Sequence, residues 1–147
     1  SGLPGRIRPV MSVSAYLLDT GPLVALLNQR DRYHHWAVRT IDALEAPLLT
    51  CESVVSEAWF LVRRGGGNPL RLLELLHVLD VNVIPAWSPR LEAILRRYAD
   101  RISVADASLL ALAEAEKGRI VVTTDRDDFT VYRIHRRQVV PTLMPPD

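Results

Sequence analysis

Four carboxylates, Asp19, Glu57, Asp106 and Asp125, stand out among the 17 acidic side chains because of where they fall. Asp19 and Asp125 each close a short hydrophobic run, residues 15–18 and 120–124. In an open parallel sheet the carboxyl ends of the strands form the crevice that binds ligands, so the two converge if their strands are neighbours. Asp106 falls inside the apolar arc of its helix, set by Ala105, Leu109, Leu110, Leu112 and Ala113. A core-facing charge is costly unless something compensates it. Glu57 flanks the arc of Val54, Val55, Ala58, Leu61 and Val62, beside Leu61, which predicts a place at the rim of a cleft. Crowded carboxylates repel one another and call for a cation. Mg²⁺ suits them, because it keeps waters beside a few carboxylate ligands. One or two such ions would activate a water, orient a phosphodiester and stabilise the leaving oxygen, with no histidine or cysteine nucleophile. Each residue also has a plainer role open to it. Ser103 and Asp106 fit a variant capping box, Asp19 and Asp125 fit caps on the turns that follow them, and Glu57 fits a solvated flank.

Positioning these groups requires strands alternating with helices. Residues 15–18 read as a buried strand, and Thr20-Gly21-Pro22 turns into a helix from Leu23 to Asn28 with Pro22 in its first turn. Asp31 is placed to cap a second helix running through Trp36, Val38 and Ile41 to Leu44. A strand over 47–51 and a helix over 53–64 follow, and Gly65 to Pro69 breaks that helix. Leu72, Leu73, Leu76 and Leu79 predict a fourth helix, 81–84 a third strand, and Ser88-Pro89 opens a fifth helix to Tyr98. A sixth helix spans 103–117 and stops at Gly118. The clearest strand covers 120–124, and a last one lies around Val139-Val140. The alternation predicts an α/β sandwich around a mostly parallel sheet.

The 147 residues fit one domain with a sizeable core. Residues 1–10 read as a leader or an appended extension with Met11 an internal start, leaving 11–147 as the domain. No apolar run approaches the ~18–20 residues of a membrane span. The lone Cys51 excludes an internal disulfide or a cysteine-based zinc cluster and suits a reducing cytoplasm. It reads as a half-buried residue at a strand end. Net charge is +1, with a single lysine, Lys117, against 17 arginines; arginine forks suit phosphate, but a GC-rich genome gives the same bias.

At the four acids the chain resembles the PIN-domain family, in particular the VapC-like toxins of type II toxin–antitoxin pairs. The matching segments are Leu17 to Leu23, Ser56-Glu57-Ala58, Ala105 to Leu109, and Thr123 to Phe129; in order and spacing they span nearly all of 15–143. The resemblance implies a PIN-like three-layer α/β/α sandwich with four to five mostly parallel strands. It also implies a Mg²⁺- or Mn²⁺-dependent endoribonuclease selective for single strands, leaving a 5′-phosphate and a 3′-hydroxyl. Asp19, Asp106 and Asp125 would hold the metal, and Glu57 would reach it directly or through water. Thr20 follows as a supporting hydroxyl, and Asp128 as a fifth acid for which Asp127 competes. A homodimer and a cognate VapB-like antitoxin entering the acidic cleft are the implied partners, beside the RNA substrate.

Arg126, Arg133, Arg136 and Arg137, with Tyr132 and His135 among them, would suit phosphate contacts and base stacking; a solvated loop is the plainer reading. His34-His35 lacks spaced partner ligands, and Gly65 to Gly67 lacks the Lys-Ser/Thr of a phosphate-binding loop. Trp36, Trp59 and Trp87 read as core or dimer contacts. A haloacid-dehalogenase-type phosphatase would need an aspartate where Gly21 stands. A catalytically inactive PIN-like module, or an α/β binding module acting through partners, remains the alternative.

Overall fold

The computed structural model describes residues 12–147, so the expected leader and Met11 lie outside the described residues. Strand β1 (Ala15–Leu18) is central and its Leu17 and Leu18 are fully buried. It is followed by α1 (Thr20–Leu27) and α2 (His34–Asp42), then β2 (Leu48–Thr50), α3 (Glu52–Arg64) and α4 (Leu70–Val78). Next come β3 (Asn82–Val83), α5 (Pro89–Tyr98), a 3₁₀ turn (Ala99–Arg101), α6 (Val104–Ala115) and β4 (Arg119–Val122). Helix α7 (Arg126–Phe129) leads to a hairpin of β5 (Arg133–Ile134) and β6 (Gln138–Val139), and β7 (Thr142–Leu143) ends the sheet.

The five-stranded sheet has the order β3-β2-β1-β4-β7, and every pairing in it is parallel. Such a sheet is covered on both faces, which is why its central strands are apolar runs rather than alternating ones. The chain first moves from β1 outward to β2 and β3, then returns to the other side of β1 with β4. Crossovers between parallel strands are right-handed, so this reversal distributes the helices over both faces. It also puts a topological switch point between β1 and β4, where the diverging connections leave a crevice at the strand ends. The expected α/β class and parallel sheet are therefore observed.

Helix α6 is the densest element: Ala105 and all of residues 107–113 are buried. It packs on α3, α5, β4 and β1, and its alanines and Ser108 permit close approach on several sides. One tie to α3 is a hydrogen bond from the Ser53 hydroxyl to Ser108 Oγ, 3.1 Å. On α4, Leu72 and Leu76 face the core while Leu73 is exposed. Trp36 and Trp59 pack against the core, whereas Trp87 is exposed. Cys51 is 1% exposed, deeper than the half-buried position expected. His34 begins α2 and its Nδ1 lies 2.7 Å from the Ala25 carbonyl, a tie between α1 and α2.

Several boundaries differ from expectation. Helix α1 starts at Thr20 instead of Leu23, because Asp19 caps it directly. Asp31 does not cap α2; its carboxylate accepts the Tyr33 amide 2.8 Å away, in a turn one step earlier. Strand β4 ends at Val122, so Thr123 and Thr124 belong to the loop. Residues around Val139 pair with β5 in an antiparallel hairpin, and the strand that joins the main sheet is β7. The 3₁₀ turn and α7, each under one and a half turns long, carry too little periodicity to be read from sequence.

Candidate metal centre

Parallel pairing of β1 with β4 sets Leu18 beside Val122 and brings the Asp19 amide to the Val122 carbonyl, 3.0 Å. The two strand ends are then tied by one side chain. Thr123, fully buried, donates its hydroxyl to Asp19 Oδ2 at 2.7 Å and accepts the Asp125 amide at 3.0 Å. Asp19 Oδ1 accepts the Thr20 amide at 2.8 Å, and Asp125 Oδ1 accepts the Asp128 amide at 3.1 Å. The capping role and the ligand role are thus compatible: each carboxylate is oriented by a helix N-terminus. Gly21 is required by close approach, since a Cβ there would collide with the Thr124 side chain.

Asp106 enters from the first turn of α6. The Ser103 hydroxyl accepts its amide at 3.0 Å, which is one half of the capping box. The other half is not made, because the Asp106 carboxylate instead accepts the Tyr132 hydroxyl at 2.8 Å. Tyr132, 4% exposed, is held edge-on by Phe129 and Tyr98 at centroid distances of 5.2 and 5.4 Å.

Asp19, Glu57, Asp106, Asp125 and Asp128 all line one cavity of about 630 Å³ at the switch point. Within it, Asp106, Asp125 and Asp128 each offer an oxygen, all within 4.8 Å of one another. Asp19 and Glu57 face the same cavity outside that tight group, with Asp19 buried and Glu57 exposed at the rim. Asp127 points elsewhere, lining a separate cleft with Arg32, Tyr33 and Arg126.

The electrostatics follow from burial and crowding. Burial raises the Asp19 carboxyl to about 6, opposed by its bonds from Thr123 and Thr20 and assisted by Glu57 and Asp125. Burial, then the charge of Asp19, raises Asp106 to about 7 against the hydrogen bond from Tyr132. Asp128 is raised by burial and by its hydrogen bond and charge contact with Asp125. Tyr132 is pushed up by burial and by donating to Asp106, so its hydroxyl stays a donor. A divalent cation would offset this repulsion, and an all-oxygen donor set is what Mg²⁺ or Mn²⁺ takes. Thr20 adds an independent sign of fit: it is 3% exposed, lines the cavity, and its hydroxyl has no hydrogen-bond partner among the described residues. A metal-bound water would satisfy it.

The expected arginine cluster is split. Arg126 holds Asp147 at 2.8 Å and the Pro145 carbonyl at 2.6 Å. Arg133 bonds the carbonyls of Thr130, Val131 and Tyr132. Arg136 and Arg137 are exposed in the β5–β6 turn beside His135, away from the acidic cavity's lining. Tyr132 is not available for base stacking, because it is buried against Asp106. The sequence reading assigns Thr123 no role and gives Tyr132 a stacking role in place of its hydrogen bond to Asp106. A hydroxyl at the end of an apolar strand, and an aromatic one turn after Phe129, were the available signals.

The PIN domain family model matches residues 16–134. Among solved structures, the chain is similar to VapC20 of Mycobacterium tuberculosis, described as a toxin cleaving the sarcin-ricin loop. Identity is 24% over 76% of this chain and 91% of that one, with a TM-score of 0.67. It is also similar to VapBC2 of Rickettsia felis, solved bound to a DNA fragment from the promoter of the pair. Identity there is 15% over 90% of this chain and 99% of that one, with a TM-score of 0.59. At these identities the two structures speak to the fold alone. No curated protein matches the chain.

Proposed function

On the premise that this chain belongs to the PIN-domain family, whose model spans residues 16–134, we propose that it is a metal-dependent endoribonuclease, the toxin of a VapBC-type pair. The observation that carries this reading is the convergence of Asp106, Asp125 and Asp128 within 4.8 Å, in the cavity that Asp19 and Glu57 also line. Asp19, Asp106 and Asp125 are assigned as ligands, Glu57 as a ligand directly or through water, and Asp128 as a fifth acid in preference to Asp127. Bound Mg²⁺ or Mn²⁺ supplies a water activated at neutral pH and positive charge at the scissile phosphate.

The chain's own residues arrange the rest. Thr123 ties the Asp19 carboxylate to the Asp125 backbone amide, which fixes the two strand ends that carry these acids relative to each other. Tyr132 keeps Asp106 oriented and favours its ionised form. Thr20 is assigned as the supporting hydroxyl, which its unpartnered Oγ1 and its place in the cavity's lining favour. Hydrolysis would leave a 5′-phosphate and a 3′-hydroxyl. The cavity is open and polar, which suits an extended single strand. A VapB-like antitoxin and a homodimer are the proposed partners, as the VapC-like resemblance implies. No helix among the described residues is long and apolar enough to cross a membrane.

The test is cleavage of RNA with Mg²⁺ or Mn²⁺ by the wild type, Asp19→Asn and Asp106→Asn. Cleavage by the wild type that is lost in both variants and in EDTA is expected. Equal activity in all three would sink the mechanism.

A further inference from the structure

The acidic cavity contains one side chain of opposite sign. Its lining holds six carboxylates, Asp19, Glu57, Asp100, Asp106, Asp125 and Asp128, and a single cation, Arg101. Arg101 forms no ion pair with any of them; the ion pairs of the described residues all involve other arginines. Its position is nevertheless specified. Nε donates to the Tyr98 carbonyl at 3.3 Å, and the guanidinium carbon lies 6.0 Å from the Tyr98 ring centroid. Tyr98 is itself fixed, accepting the Arg133 amide at 2.8 Å and packing edge-on against Tyr132, which holds Asp106. The terminal nitrogens make no hydrogen bond to the described residues and remain free for a ligand.

The backbone that presents Arg101 is strained. Ala99 has φ 52°, a region costly for any residue with a Cβ. It breaks α5 and starts the 3₁₀ turn Ala99–Arg101, immediately before Ser103 caps α6. Such conformations persist where the surroundings over-determine them, and they concentrate at ligand clamps.

Resting on the ribonuclease reading, we propose that Arg101 is a substrate-positioning residue that grips a backbone phosphate of the RNA strand beside the scissile bond. A planar guanidinium with two free nitrogens matches the oxygens of a phosphodiester. In a cavity of this sign it is also the one cationic side chain of the lining that an RNA strand meets. Its partner is therefore the substrate rather than a neighbouring carboxylate.

The test compares wild type, Arg101→Gln and Arg101→Lys. Anisotropy of a fluorescent single-stranded RNA in EDTA gives Kd against salt without turnover. Losing one phosphate contact lowers the slope of log K on log salt by about 0.7. That loss is expected in Arg101→Gln, with the slope retained in Arg101→Lys. In Mg²⁺, Arg101→Gln should raise KM while kcat stays within about twofold, the signature of lost uniform binding. An unchanged slope and KM in Arg101→Gln would overturn the proposal. So would inorganic phosphate alone protecting the wild type from thermal unfolding, but not Arg101→Gln, with equal RNA slopes; this would assign free phosphate instead. A wild type that binds RNA with this slope difference yet never cleaves it would remove the ribonuclease reading and leave the phosphate contact standing. A wild type that binds no RNA would remove both.

Discussion

Asp106→Asn is expected to abolish cleavage and yet stabilise the metal-free protein at neutral pH. Asp106 is raised from 3.8 to about 7 by burial and by the charge of Asp19. Between those values the folded chain holds a proton that the unfolded chain has lost, so stability falls as pH rises through this window. At about 1.36 kcal/mol per pKa unit, the roughly three-unit rise sets an upper bound near 4 kcal/mol. Solvent reaching the half-buried carboxylate reduces this to about 2–3 kcal/mol. An asparagine has the same shape, never ionises, and can still accept the Tyr132 hydroxyl, which stands 2.8 Å from the native Oδ2. In EDTA at pH 8 the variant should therefore melt about 6–9 °C above the wild type, at about 3 °C per kcal/mol for a domain of this size. Below pH 4, where the unfolded group is also protonated, the two should converge. Adding Mn²⁺ should raise the wild-type Tm and leave the variant nearly unmoved, because only the wild type keeps its ligand. Differential scanning fluorimetry over pH 3–8, with and without Mn²⁺, reads all of this. A variant less stable than wild type by the same amount at every pH, or equal Mn²⁺ stabilisation of both, would refute the reasoning.

The other residues give distinct signatures. Tyr132→Phe keeps the ring contacts and removes a hydrogen bond to a charged acceptor worth ~1.5–3 kcal/mol, so Asp106 should rise by about one to two units. The acid limb of the pH–rate profile should move alkaline accordingly; a shift in the acid direction would contradict this. Asp128→Asn should weaken Mn²⁺ binding by calorimetry whereas Asp127→Asn should not, since only Asp128 shares the 4.8 Å group. The opposite ranking would reassign the fifth acid. Gly21→Ala should cost about 1–3 kcal/mol in urea unfolding by overpacking against Thr124. Adding Thr124→Ala should recover most of it, and a double variant no better than the single would show the strain to lie elsewhere.

How much of this could be read before folding varies with the range of the physics involved. Asp19 and Asp125 were legible because a buried strand ending in a carboxylate is a local pattern. Asp106 was legible because a charge inside an apolar helical arc is a local contradiction. The helix over 52–64 and the strand over 119–122 showed in their own periodicity and composition. Short elements did not: the 3₁₀ turn, α7 and the β5–β6 hairpin are held by neighbours and leave no period of their own. The arginines illustrate the same limit. Four that cluster in sequence, Arg126, Arg133, Arg136 and Arg137, are dispersed by the fold. Arg101, with nothing notable beside it in the chain, is the one in the acidic cavity.

By itself the sequence determined which carboxylates stand at strand ends and helix starts, and through the family's motifs it implied a divalent metal there. What only the tertiary structure decided was which of them share a site. Parallel pairing of β1 with β4, the reversal of strand order at β1, and the crossing of α6 bring Asp19, Asp106 and Asp125 to one cavity. Those same contacts admit Asp128 to the tight group, turn Asp127 away, and set Tyr132 against Asp106. The geometry of these carboxylates is a sum of long-range contacts between residues as far apart as 19 and 123, and no local rule of spacing contains it.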